Sequence, residues 1–346
     1  MHIQNKSSSR KVLGKSKMGK EDVVAALVDM LKRWDLALIQ EVRDASGEAI
    51  QELLKRLNAA SGNVYELLLS DRLGRSSSKE QLAWFYRKDR VALLGHEQVA
   101  DPKDVWERPP QITYWGLGED KVGIIGIHIK PDDAVSELDA LASVVDDVVA
   151  RGKAPSGVWA MGDMNADCSY ITKTEWRCIR EPTCTKTAMR LHNPNKYVWP
   201  IDDDADTTTS DTDCAYDRFV FAKTIPAQVN GIMVYDFGKH LTKEEVKAVS
   251  DRYPIELMWN LTSRSVSTYA NTAVTTAAST SHPNTIGTTV TVQNKGDMTR
   301  KQTSSPGSTY VNTAVTAPYK NGIDTTVLDK GASPALSFLV LCLFAI

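Results

Sequence analysis

At 346 residues the chain can hold one large domain with an appendage, or two domains. Its formal net charge of -2 excludes binding of nucleic acid through bulk positive charge, so a polyanion would have to be met by local arginines and a bound cation. Of the five cysteines none forms a C-x-x-C pair, which excludes the common zinc spacing, and their number suits an oxidising compartment. Residues 1–20 are basic and serine-rich (Lys6, Arg10, Lys11, Ser7 to Ser9), lack the apolar core of a secretory signal and predict a disordered, solvated N-terminus. Val24, Leu27, Val28 and Leu31 recur at helical spacing, as do Ile50, Leu53, Leu54 and Leu57, and later Leu138, Leu141, Val145 and Val148. Between these helices, apolar runs predict strands at Leu36 to Ile39, Tyr65 to Leu69, Leu82 to Tyr86 and Val122 to Ile127. Further strands are expected at Val158 to Ala160, Arg218 to Phe221 and Ile255 to Met258. Strands alternating with helices predict a layered α/β domain over residues 21–259, with sheets inside and helices outside.

From Asn260 the composition changes to Ser and Thr, and the stretch from Ser267 to Thr275 recurs as Ser308 to Thr316. Such a segment buries too little apolar area to offset its ordering entropy, so residues 260–334 are read as an extended, O-glycosylated stalk. Asn260-Leu261-Thr262 is an N-glycosylation sequon. Residues 335–346 form an apolar tail shorter than the roughly 20 residues a bilayer span needs. Behind its polar spacer, the tail has the layout of a GPI-attachment signal, with attachment expected near Asn321-Gly322 or Asp324.

Acids stand at or near the ends of the apolar runs: Glu41, Glu80, Asp163, Asp217 and Asp251. His128 follows the run ending at Ile127, and Asn165 stands two residues after Asp163. One such acid alone is usually a solvated surface charge. Several of them with one histidine suit metal-assisted hydrolysis of a phosphodiester, in which a cation offsets phosphate charge and an imidazole moves a proton at neutral pH.

Longer motifs sharpen this reading. They are Ala37 to Asp44 (ALIQEVRD), Leu73-Gly74-Arg75 through Lys79-Glu80, Ile127-His128 with Asp133-Ala134-Val135, Met161 to Tyr170 (MGDMNADCSY), Asp213 to Arg218 (DCAYDR) and Ser250 to Pro254 (SDRYP). On these stretches, spanning about Lys17 to Met258, the chain resembles the deoxyribonuclease I family within the endonuclease/exonuclease/phosphatase superfamily. The resemblance implies a four-layer α/β sandwich of two packed β-sheets flanked by helices, followed here by the Ser/Thr-rich tail. It implies endonucleolytic cutting of double-stranded DNA to 5′-phosphate ends with Mg²⁺ and Ca²⁺. Glu41 matches the carboxylate holding the catalytic cation, Glu80 and His128 the acid–imidazole pair, and Asp163 and Asn165 the metal- and phosphate-side pair. Asp217 matches the partner of a second histidine, and Asp251 the acid just before that histidine. Arg43, Arg108 and Tyr170 match DNA contacts, Cys168 and Cys214 the large-loop disulfide, and Asp206, Thr208, Ser210 and Thr212 a structural calcium loop. Cys178 and Cys184 are left to pair locally or stay free. Some relatives bind actin, which nothing in this sequence supports.

Three departures stand out. Arg252 replaces the histidine that activates water, and a guanidinium cannot take a proton. The family's opening strand has no counterpart in Met1-His2-Ile3-Gln4 and the basic segment after it. Ser78 stands where many members carry a minor-groove tyrosine. The leading expectation is thus a metal-dependent deoxyribonuclease of reduced activity, with an inactive DNA- or protein-binding relative and another phosphodiesterase of the superfamily as alternatives. The disulfide, stalk and tail place it outside the cell or on its surface, either secreted or GPI-anchored, although the N-terminus carries no signal.

Overall fold

A computed structural model describes residues 12–172, 175–176 and 189–261, and the backbone of residues 338–345. Cys178, Cys184, the Ser/Thr-rich repeat and the proposed GPI-attachment residues lie outside the described residues. From edge to edge the first sheet runs β10 (Val229–Val234), β11 (Ile255–Asn260), β12 (Phe338–Ala345), β1 (Leu36–Val42), β3 (Gln81–Arg87) and β2 (Tyr65–Leu69). The second runs β4 (Val91–Gln98), β5 (Gln111–Leu117), β6 (Asp120–Gly126), β7 (Gly157–Asp163), β9 (Asp217–Ala222) and β8 (Tyr197–Val198).

Alternation along the strands builds the layers. In β1, Leu36 and Leu38 enter the core between the sheets, while Ala37 and Ile39 face the opposite way, onto the helices. A strand buried on both faces reads as a continuous apolar run, which is why β1 was legible. The inter-sheet core is aromatic: Trp84 lies 5.8 Å from Trp115, and Trp159 stacks at 5.9 Å on Trp259. Helices α2 (Glu21–Leu31) and α3 (Glu48–Ser61) cover the first sheet, and α4 (Ala134–Ala150) covers the second. The result is the four-layer sandwich, helix–sheet–sheet–helix. A short helix, α1 (Lys15–Met18), precedes α2, and α5 (Lys243–Val249) starts with a capping box between Thr242 and Glu245.

Two boundaries differ from the sequence reading. The fold begins before residue 21: Leu13 pairs with Val42, and the buried Lys17 ammonium donates to the Val249 carbonyl at 2.9 Å. A lysine with a carbonyl partner belongs to a folded body as readily as to a solvated tail, and composition does not distinguish the two. At the other end, residues Phe338–Ala345 are not an appended tail but a strand inside the first sheet, hydrogen-bonded to β1 and β11. A short apolar run reads equally well as either. Strands β4, β5, β8 and β10 also went unread.

Buried polar contacts join the sheets: Trp84 donates to Gln111 at 2.8 Å, Trp259 donates to Asp120 at 3.2 Å, and Gln40 bridges them beside the site. The Gln40 side chain of β1 donates to the Ile127 carbonyl at 2.6 Å and accepts from the Asp163 amide at 2.8 Å. Gly162 makes this approach feasible, since a Cβ there would lie 1.7 Å from the Ile127 oxygen. Replacing Gln40 with leucine strands two buried backbone groups. Gln40→Leu is therefore expected to destabilise by about 2–5 kcal/mol, read as a lower urea midpoint at unchanged m.

Candidate active site

The polar residues singled out in the sequence collect at one end of the two sheets. Glu41 comes from β1, Glu80 from the bridge to Leu73 just before β3, and His128 from the segment after β6. Asp163 closes β7, Asp217 opens β9, and Asp251 and Arg252 precede β11. Glu41 sits in a bulge, where the pairing of β1 with β3 shifts register between Ile39 and Val42. Its φ of 58° is left-handed, a conformation that costs a glutamate about 1 kcal/mol or more. Bulges re-aim side chains. Burial, with Glu80 and Asp251 nearby, pushes the Glu41 carboxyl up to about 7 against the pull of His128 and Arg43.

Glu80 Oε1 makes a close hydrogen bond to His128 Nδ1. Arg108 Nε lies 3.2 Å from the same oxygen and donates to the His128 carbonyl at 2.9 Å. Arg43 reaches the other Glu80 oxygen at 3.2 Å and Glu41 at 3.4 Å. Burial raises the Glu80 carboxyl, but His128, Arg108 and Arg43 overcome it and hold the group down at about 2. Burial lowers the His128 imidazole, yet Glu80 outweighs it and the pKa is raised. Glu137, buried in α4, accepts from the Glu107 amide at 2.8 Å and the Lys130 amide at 3.1 Å, and so fixes the chain on either side of this pair.

On the β7–β9 side of the site, Arg252 occupies the acid cluster. Its guanidinium lies 2.9 Å from Asp163, 3.5 Å from Asp217 and 3.8 Å from Asp251, and 4.9 Å from the centre of the Tyr216 ring. Burial favours a neutral Asp163, but Arg252, His128 and the Asn165 amide win, and its pKa is lowered. Asp217 is raised well above the ordinary range, by burial first and then by the charge of Asp163. Burial acts against the Arg252 charge, but the three aspartates raise its pKa further, so it stays a cation at every working pH.

Glu41 and Asp251 suit a hard divalent cation: both are carboxylates, and Asp251 Oδ1 is buried with no hydrogen-bond partner among the described residues. Asp163 is less available, because its oxygens already accept from the Asn165 amide at 3.0 Å and from Arg252. Asn165 turns its carboxamide inward, donating to the Ile129 carbonyl at 2.9 Å, and shapes the turn with a φ of 46°. Arg108 likewise points into the site, whereas Tyr170 lies at the rim against Tyr216. Cys168 and Cys214 are joined, and Asp167 accepts from the Ala215 amide at 2.8 Å, so the β7 loop is tied to the start of β9. Asp206, Thr208, Ser210 and Thr212 do come together, but their oxygens bond one another: Asp206 takes the Thr208 amide at 2.8 Å, and the Ser210 and Thr212 hydroxyls lie 2.7 Å apart.

Sequence reasoning missed Gln40, Glu137, Tyr216 and the grip of Arg252 on three acids. Gln40 carried a signal, being an amide inside a buried apolar run. The others depend on contacts between segments far apart in the chain.

Residues 12–284 match the model of the Endonuclease/Exonuclease/phosphatase family. Over 260 residues the chain is 35% identical to deoxyribonuclease-1 of Equus caballus, covering 71% of this chain and 88% of that protein. Over 263 residues it is 34% identical to deoxyribonuclease-1 of Homo sapiens, with the same coverage of 71% and 88%.

Two outcomes follow from the geometry. Glu41→Gly removes both the left-handed strain and a buried carboxyl, so it should raise stability by about 1 kcal/mol in urea unfolding. In imidazole NMR titrations His128 should titrate above the ordinary value of about 6.5, and Glu80→Gln should bring it below that value, since burial and Arg108 remain. The linkage has a definite sign. The stabilisation carried by the raised His128 is complete below the ordinary imidazole pKa and is lost as pH rises through the folded one. That carried by the depressed Glu80 is present above the ordinary carboxylate pKa and is lost as pH falls through about 2.

Proposed function

The chain belongs to the endonuclease/exonuclease/phosphatase family as a deoxyribonuclease I-like hydrolase, and on that premise we propose that it nicks double-stranded DNA by divalent-cation-dependent hydrolysis. The observation that carries the reading is the buried Glu80–His128 pair set opposite an acid cluster. In this reading Glu80 keeps His128 protonated, and His128 gives its proton to the departing 3′ oxygen as a water oxygen bonds to phosphorus, leaving a 5′-phosphate. A divalent cation held by Glu41 and Asp251, Mg²⁺ or Ca²⁺, would offset the phosphate charge. Arg43 and Arg108 supply local positive charge for the backbone, and Tyr170 and Tyr216 supply a rim on which a sugar or base can rest. The Cys168–Cys214 disulfide favours an oxidising compartment for the working protein.

Arg252 limits the rate in this scheme. It cannot accept the proton of the attacking water, which must pass to solvent, and the loss of base assistance costs about 10²–10⁴ in rate. Its position over Asp163 and Asp217 favours a second reading, a DNA-binding relative without turnover, because the guanidinium stands where a phosphate would be drawn while satisfying the acids itself.

Supercoiled-plasmid nicking by the full chain with Mg²⁺ and Ca²⁺ separates the two. The hydrolase reading expects weak nicking, a gain of about 10²-fold or more with Arg252→His, and loss with His128→Ala. No nicking by the parent or by Arg252→His, with native circular dichroism in both, would leave the binding reading. Residues 338–345 must be retained, since β12 lies inside the sheet that carries Glu41.

A further inference from the structure

Strand β12 comes from the far end of the sequence and lies in the middle of the first sheet. It pairs parallel with β1 from Leu36↔Leu341 to Gln40↔Ala345, and antiparallel with β11 from Ile255↔Leu343 to Asn260↔Phe338. Where β12 stops, the place beside β1 passes to Leu13. The Leu13 amide donates to the Glu41 carbonyl at 3.2 Å, and its carbonyl accepts from the Arg43 amide at 3.1 Å. The Glu41 bulge therefore stands at the joint between two segments that fill one lane.

Residues 261–337 separate β11 from β12, so no tight turn delivers the strand. Closing a loop of that length costs little more than closing a shorter one, because the penalty grows only with the logarithm of length. What holds β12 is the ladder on both sides. Without it, β1 and β11 would each present a row of unpaired amides and carbonyls between two apolar layers. Such a lane admits only an extended apolar segment. Phe338–Ala345 has the sequence FLVLCLFA, without charge, proline or glycine.

We propose that the lane between β1 and β11 is a strand-binding groove whose ligand is this chain's own segment Phe338–Ala345. The segment behaves as a tethered partner, not as a covalently dictated neighbour. Removal of these residues, as in processing of a GPI signal, would empty the groove, so the two fates exclude each other. The assignment stands apart from the proposed chemistry.

Hydrogen exchange on the full chain, read by mass spectrometry, tests it without any variant. Amides of residues 338–345 should exchange at least about 10³-fold more slowly than in an unstructured peptide, in step with residues 36–42. Unprotected exchange at 338–345, with residues 36–42 and 255–260 still protected, overturns the proposal. A site-specific protease cut introduced between residues 262 and 337 gives a second reading. The C-terminal fragment should co-elute with the body in gel filtration and leave only in denaturant. A fragment that separates from a folded body overturns the proposal, and so does protection found only in a dimer, where a second copy would supply the strand. Neither readout requires DNA hydrolysis, so an inactive enzyme would not be mistaken for an empty groove.

Discussion

The Gln40 carboxamide fixes how the two halves of the site face each other. Glu41 rides on one sheet, while His128 and Asp163 ride on the other, and the layer between them is mostly apolar. Dispersion forces hold such a layer together but do little to choose its register. Gln40 supplies direction: one end takes the carbonyl before His128, and the other takes the amide of Asp163. The bridge needs Gly162 to lack a side chain, so an absent atom on β7 and an amide on β1 act as one device.

Charge is arranged in two blocks around that device. On one side Arg43 and Arg108 close on Glu80 and keep it ionised, and Glu80 in turn sustains a charged imidazole. On the other side Arg252 closes on Asp163 and leans toward Asp217 and Asp251. Among the acids facing the site, Glu41 and Asp217 escape full compensation, and both are pushed upward. A site with uncompensated buried acids gains from an added cation, whether a metal ion or an internal guanidinium. Arg252 already fills part of that need, which gives a physical reason for it to be tolerated in the cluster.

Much of this was legible in the sequence because period and motif agree. β1, β7 and β9 are apolar runs with a polar residue at the tip, so both the strand and its functional end could be read. The Cys168–Cys214 link followed from the family resemblance and is formed. What was illegible shares one cause, namely dependence on a distant partner. Lys17 reads as a solvated base until Val249 accepts from it. Phe338 to Ala345 read as a membrane-directed tail until two strands flank them. Arg252 reads as a lost base, whereas its contacts make it a clamp. Asn165 reads as a phosphate donor, and the sequence does not show that its carboxamide also donates to the Ile129 carbonyl.

The shared lane beside β1 has a topological consequence. Ala345 stands opposite Gln40 and Leu13 opposite Val42, so the two extremes of the described chain abut two positions apart on one strand. Both run parallel to β1. The domain is in effect a nearly closed ring whose seam lies at the Glu41 bulge. Splicing that seam and opening the ring between residues 262 and 337 would yield a circular permutant with every strand neighbour preserved. The Glu41 position would then lie beside continuous backbone instead of beside a junction.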